Sequence, residues 1–216
     1  NFLWAYAVNN HIDRNLFTSF VPTVKAKLNE FTNQGFGNIA WAYAAANVSA
    51  PTLFNDYFVN ICLRKKDELS SEGLCQLHQW NLWQEELKSS IRLPPLLEEK
   101  GKKALIGKPV TTSAFQDFVV KELSYMGFQP EEEVLTETGY RLDVVVEVNG
   151  KKIAIEVDGP SHFLGQKPNG STVLKRRQVA ILDGMQVVSV PYFVWDRKIG
   201  EKGKKREYLR DLLGLS

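Results

Sequence analysis

The sequence predicts two architectures in tandem: an N-terminal α-solenoid of helical hairpins over residues 1–109 and a C-terminal α/β domain of order αβββαβ over residues 110–216. Three observations carry this prediction. An aromatic motif recurs at a fixed interval in the first half of the chain. Apolar spacing changes from helical to alternating near residue 130. Two β-branched runs then flank an Asn-Gly pair.

The recurring motif is Phe2-Leu3-Trp4-Ala5-Tyr6-Ala7, which returns as Ile39-Ala40-Trp41-Ala42-Tyr43-Ala44, 37 residues on. Asn10 and Asn47, Leu16-Phe17 and Leu53-Phe54, and Phe20 and Tyr57 keep the same offset. A degenerate third copy starts near Leu74-Cys75-Gln76-Leu77. Helical spacing within each copy, broken near Asp13 or Pro51, reads as paired helices repeated in tandem, about two and a half repeats in all. Trp4, Tyr6, Trp41 and Tyr43 are expected in the core. A helix over Trp80–Ser90 should stop at Leu93-Pro94-Pro95, and the polar stretch Glu98–Pro109 reads as a connector.

In the second domain, Thr111-Thr112-Ser113 offers an N-cap to a helix over Ala114–Met126. Its apolar stripe is Phe115, Phe118, Val119, Leu123 and Met126, with Gly127 at the C-cap. A short strand over Glu132–Thr136 is followed by the hairpin Tyr140–Val148, Asn149-Gly150, Lys151–Asp158, whose two-residue turn suits type I′ geometry. A helix over Ser171–Asp183 closes at Gly184, and a last strand runs Gln186–Val190.

Composition excludes several classes. At 44% hydrophobic and 24% charged residues, the chain is near globular averages, which excludes long disorder. Two cysteines, Cys62 and Cys75, with His11, His78 and His162 and no C-x-x-C, build neither a disulfide scaffold nor a four-thiolate zinc site. No apolar run approaches a membrane span. The first residue is Asn, so the chain reads as part of a longer or processed one, with any targeting segment lying outside it. Charge is uneven: residues 1–140 hold 13 Lys/Arg against 16 Asp/Glu, and residues 141–216 hold 14 against 9. The C-terminal part is therefore better suited to a polyanion.

The hairpin turn fixes its own register. Val148 faces Lys151, Glu147 faces Lys152, Val146 faces Ile153 and Val144 faces Ile155. One face is apolar. The other sets Arg141 against Asp158 and Asp143 against Glu156. Opposed carboxylates destabilise unless compensated. Arg141 and a nearby Lys, a proton held by one carboxyl, or a divalent cation would each serve. The Gly159-Pro160 break then places Ser161 and His162 on a surface turn beside the acids. The following helix carries Lys175-Arg176-Arg177.

Together these residues resemble the RAP domain, an RNA-binding domain first noted as abundant in apicomplexans. The resemblance rests on Leu142–Glu147, Ile155–Phe163, Leu174–Arg177, Val188–Tyr192 and Trp195-Asp196, and extends over residues 110–214. The repeats ahead of it resemble octotricopeptide repeats. The resemblance implies RNA work in an organelle, a mitochondrion first and a chloroplast or other plastid as the alternative. Transcript processing, stability, translation and ribosome structure all fall within it, with organellar rRNA or mRNA and ribosomal or RNA-processing proteins as partners and no membrane span.

It also implies a restriction-endonuclease-like fold. There Asp143 matches a metal-binding acid, with Glu156 as second ligand, and Glu156-Val157-Asp158 stands where a Glu-x-Lys element belongs. Asp158 in place of Lys leaves the attacking water without its usual support, although Lys175 could stand in, and Glu122 could add a ligand. The leading expectation is an RNA binder without a cofactor. It would hold phosphates through Ser161, His162, Lys175, Arg176, Arg177 and the basic segment beginning at Lys198, and would stack bases on Tyr192, Phe193 or Trp195. The alternatives are a metal-dependent endoribonuclease using Mg²⁺ on Asp143 and Glu156, with Asp158, His162 or Lys175 assisting, and a protein scaffold within a ribosome or other RNA-protein complex.

Overall fold

A computed structural model describes residues 2–110, 113–197 and 202–215. Two compact units emerge: residues up to Lys108 together with Pro168–Gln178, and Pro109–Lys167 together with the residues from Val179 on.

The first unit contains six successive helices, α1 (Phe2–Val8), α2 (Arg14–Ala26), α3 (Asn33–Ala46), α4 (Asp56–Lys65), α5 (Ser71–Glu86) and α6 (Pro95–Ile106). Four start on a side-chain cap: Asp13 accepts from Leu16 N–H, Thr32 from Gly35, Asn55 from Tyr57 and Phe58, and Ser70 from Gly73. Trp4 and Tyr6 lie on α1, and Trp41 and Tyr43 on α3. Tyr43 and Trp41 are buried, while Trp4 and Tyr6 are half-buried against the same core. Every residue from Phe36 to Ala46 is buried, so α3 is enclosed on all sides. Burial pushes the Tyr43 phenol up to about 12, and its hydroxyl donates to the Phe17 carbonyl at 2.8 Å.

The long polar stretch of α5 is buried because its side chains find partners. Gln76 donates to Asn38 Oδ1 at 2.9 Å, Trp83 Nε1 to Asn47 Oδ1 at 2.9 Å, and Asn81 Oδ1 accepts the Leu93 N–H at 2.8 Å. Two sequence expectations change here. Helix α5 starts at Ser71 and ends at Glu86, ahead of the prolines, with Lys88 at φ 53°. Residues 98–106 are helical, not a connector. Leu97, Gly101 and Leu105 form a buried stripe one residue wide, which the intervening lysines hide from a periodicity reading.

Residues 168–178 complete this unit. A Cβ on Gly170 would collide with the Ala7 carbonyl, and Leu174 joins the core. Arg177 is the most consequential residue here. Its guanidinium meets Glu86 at 2.8 Å and donates to the carbonyls of Ala44 (2.6 Å) and Ala45 (3.3 Å), which end α3. The Glu86 side chain is only 5% exposed. The expected phosphate contact of Arg177 therefore gives way to a structural one, because enclosed α3 carbonyls need a donor.

The second unit opens with α7 (Ala114–Tyr125), capped by Ser113. Strands β1 (Glu131–Leu135), β2 (Arg141–Val148) and β3 (Lys151–Asp158) follow, then a 3₁₀ turn at Pro160–His162 and a ribbon of β4 (Phe163–Leu164) and β5 (Lys167–Pro168) where a plain loop is expected. The chain continues through α8 (Gly170–Leu182), β6 (Gln186–Pro191), α9 (Tyr192–Asp196) and α10 (Lys202–Leu212). The four-stranded sheet has the order β1-β2-β3-β6, antiparallel except for the β3–β6 pair. The expected hairpin register holds from Val144↔Ile155 to Val148↔Lys151, with Asn149 and Gly150 both at positive φ as a type I′ turn requires. Val144, Val146, Ile153, Ile155 and Val157 share a core with Val119 and Leu123 of α7, Leu209 of α10 and Leu213 just after it.

Truncating Arg177 to Ala strands the Glu86 carboxylate and takes one donor from each of the Ala44 and Ala45 carbonyls, the first of which keeps the Asn47 N–H. Stability should fall by about 3 kcal/mol, read as the shift in denaturation midpoint at unchanged m-value.

Candidate functional site

The second unit brings its buried charge to one place. Alternation along β3 sends Ile153, Ile155 and Val157 to one face, and Ala154, Glu156 and Asp158 to the other. Glu156 is 2% exposed and Asp158 0%. Parallel pairing sets Glu156 beside Ser189 of β6. Ser189 Oγ donates to Asp158 Oδ2 at 2.5 Å, and His162 Nδ1 stands 3.2 Å from Asp158 Oδ1. The His162 side chain is 41% exposed, so a buried carboxylate orients an imidazole that reaches solvent. The Tyr208 hydroxyl of α10 donates to the Ser189 carbonyl at 3.3 Å. Burial, and after it the Asp158 charge, raise the Tyr208 phenol above its ordinary 10.0.

Asp143 is half-buried, and its Oδ2 accepts the Val157 N–H at 2.7 Å. One of the acids expected to oppose another thus serves the backbone of β3. The expected pairing of Arg141 with Asp158 does not form. Arg141 Nη1 donates to the Glu133 carbonyl at 3.1 Å, and Nε lies 4.0 Å from the Glu133 carboxylate. The neighbouring strand β1 brings Glu133 within reach, whereas Asp158 is drawn to His162 and Ser189. Glu122 does not turn inward as a ligand. It meets Arg206 at 2.7 Å. Among the described residues, no group of three or more His, Cys, Asp or Glu is placed to hold a metal ion.

The turn carries Ser161 exposed next to His162. Lys175 and Arg176 are half-buried on α8 within the helical unit. Lys198 lies outside the described residues. Of the aromatic candidates, Trp195 is buried, whereas Tyr192 and Phe193 are half-buried and cluster with Phe163 at 6.1 and 5.1 Å between ring centroids.

At the C-terminal ends of the parallel strands β3 and β6 lies a cleft of about 580 Å³ lined by Phe115, Phe118, Gly159, Pro160, Tyr192, Trp195 and Lys205. That end of parallel strands is where open α/β sheets bind ligands. The structure also corrects the α7 stripe: Val119 and Leu123 are buried, but Phe118 is 60% exposed. Sequence reasoning missed Ser189 and Tyr208. A lone hydroxyl on a strand, or a tyrosine in a basic helix, gives no local signal of an acid far along the chain.

Comparison with known proteins places the end of β3, the His162 turn, α8, β6 and α10 in one matched stretch. Residues 155–212 match the RAP domain family. The match is narrower than the 110–214 expected, beginning in the middle of β3. Proteins with a RAP domain are generally RNA-binding. A relative, the "RAP domain-containing protein, chloroplastic" of Oryza sativa subsp. japonica, is 33% identical over 201 residues. The aligned region takes in 86% of this chain, which spans about 30% of the relative's length. The Asp158–His162 pair, Ser189 and Tyr208 all fall within the matched stretch.

A phenol whose folded value is raised contributes stability at pH below 10.0 and loses it as pH climbs through the folded value. The Asp158→Asn substitution removes one of the two causes. It should lower the Tyr208 titration towards 10.0 without reaching it, because burial is the larger cause. The check is phenolate absorbance against pH, as the difference from Tyr208→Phe.

Proposed function

We propose that the protein binds RNA in an organelle, without efficient cleavage, in RNA processing, stability, translation or ribosome structure. The RAP domain at residues 155–212 carries this reading. It lies in the part of the chain where Lys and Arg outnumber Asp and Glu, which suits a phosphate backbone. The organelle is the chloroplast rather than the mitochondrion first expected, in line with the name of the rice relative. Ahead of it, the paired helices act as octotricopeptide-like repeats of an α-solenoid, and residues 110–214 as a whole form the RAP domain on a nuclease-like sheet. Ribosomal or processing proteins are its partners.

Phosphate contacts come from Ser161 and His162 on the exposed turn, from Lys175 and Arg176, and from the basic segment Lys198–Arg206. Arg177 is set aside because it serves the end of α3. Cleavage is disfavoured by Asp158 in place of a cation and by the use of Asp143 on the β3 backbone. Should Mg²⁺ bind, Asp143 and Glu156 are the acids to hold it.

Fluorescence anisotropy of the full chain with single-stranded RNA should give salt-dependent binding. The double substitution Lys175→Gln, Arg176→Gln should reduce the log–log salt slope by about two units. An unchanged slope would remove the α8 cluster from the contact set. Incubation of RNA with Mg²⁺ or Mn²⁺ should leave it intact; turnover lost in Asp143→Asn would replace the binder with an endoribonuclease.

A further inference from the structure

The second unit carries a further feature, built from α7 and α10, that neither the buried acids nor the α8 cluster explains. Both helices bury one face: Val119 and Leu123 from α7, and Leu209 from α10 with Leu213 just beyond its end. On the outside, aromatic rings stand in water. Phe118 and Tyr125, two helical turns apart on α7, are each 60% exposed. An exposed apolar side chain needs no explanation when single, but here cations accompany the rings. Lys205 Nζ lies 4.7 Å from the Trp195 ring centroid at the wall of the Phe118 cleft. Arg206 lies 5.0 Å and Lys121 5.9 Å from the Tyr125 ring. Tyr125, Arg206 and Arg210 line a second cleft of about 610 Å³.

Helix α10 contains five Lys/Arg (Lys202, Lys204, Lys205, Arg206, Arg210) against Glu207 and Asp211. Asp196 is an acid at the rim of the first cleft.

We infer that the α7–α10 face is a stacking platform for single-stranded RNA. One unpaired base lies on Phe118 in the cleft with Phe115 and Tyr192, another lies on Tyr125, and Lys121, Lys205, Arg206 and Arg210 meet the phosphates. Rings interleaved with cations suit a strand that is π-faced and anionic at every step. A duplex would keep its base faces hidden. A protein partner would have to desolvate lysines, which are depleted at protein interfaces. This inference rests on the RNA-binding reading and names where the RNA sits.

The test compares the full chain with its Phe118→Leu and Tyr125→Leu variants on a labelled oligouridylate and on an abasic ribose-phosphate strand of equal length. Leucine keeps apolar bulk and removes the π-face, and at such exposed positions circular dichroism should be unchanged. Each variant should bind the oligouridylate roughly tenfold more weakly, and the abasic strand as well as the native chain does. Lys205→Gln should lower the salt slope by about one unit on both strands. Native-like binding of oligouridylate by both leucine variants would overturn the platform while leaving RNA binding elsewhere on the chain. No RNA binding by the native chain would overturn both readings. Loss of self-association in the variants, with RNA affinity unchanged, would reassign the face to a protein contact and overturn the inference.

Discussion

A charge withdrawn from water must be answered by the protein itself, and both units of this chain are organised around such answers. In the helical unit, Arg177 balances Glu86 and adds donors to the last-turn carbonyls of α3. In the sheet unit, Asp158 is answered by Ser189 and His162. Each arrangement joins residues far apart in sequence, and each is only as good as its weakest partner. At so enclosed a helix end, Arg177 adds to the backbone N–H groups of Asn47 and Val48 that already cap α3.

The same constraint shapes what the second unit can offer a ligand. Acids committed to a backbone N–H, a serine and a histidine are engaged in holding the sheet together. The groups that reach solvent are an imidazole, rings and ammonium or guanidinium ions. Such groups are of the kind that pair with phosphates and stack on bases.

The local parts of this picture were legible in the sequence. Asn149-Gly150 gave the hairpin register residue by residue, and Ser113 and Gly184 marked helix ends, because turn and cap chemistry act within a few residues. Four of the five stretches that carry the RAP resemblance, from Ile155 on, fall within the matched region. What escaped depended on distance or on narrow patterns. Glu86 and Arg177 are 91 positions apart, and nothing near either announces the other. Arg141 has carboxylates on both neighbouring strands, and pairing rules for one hairpin do not choose between them. Helix α6 was hidden by lysines that flank a stripe only one residue wide. Phe118 sits at the edge of an apolar stripe, where a rotation of a fraction of a turn decides between core and water.

The alternation along β3 also limits how this protein can change length over time. A substitution in the hairpin alters one side chain, but gaining or losing one residue between Lys151 and Asp158 would exchange the two faces beyond that point. Isoleucines would take the place of the acids, and carboxylates would enter the apolar layer against α7 and α10. Descendant sequences are therefore expected to vary in length outside this strand, around the exposed Gly165 turn for instance, while the stretch from the Asn-Gly turn to the Gly-Pro break keeps a constant residue count.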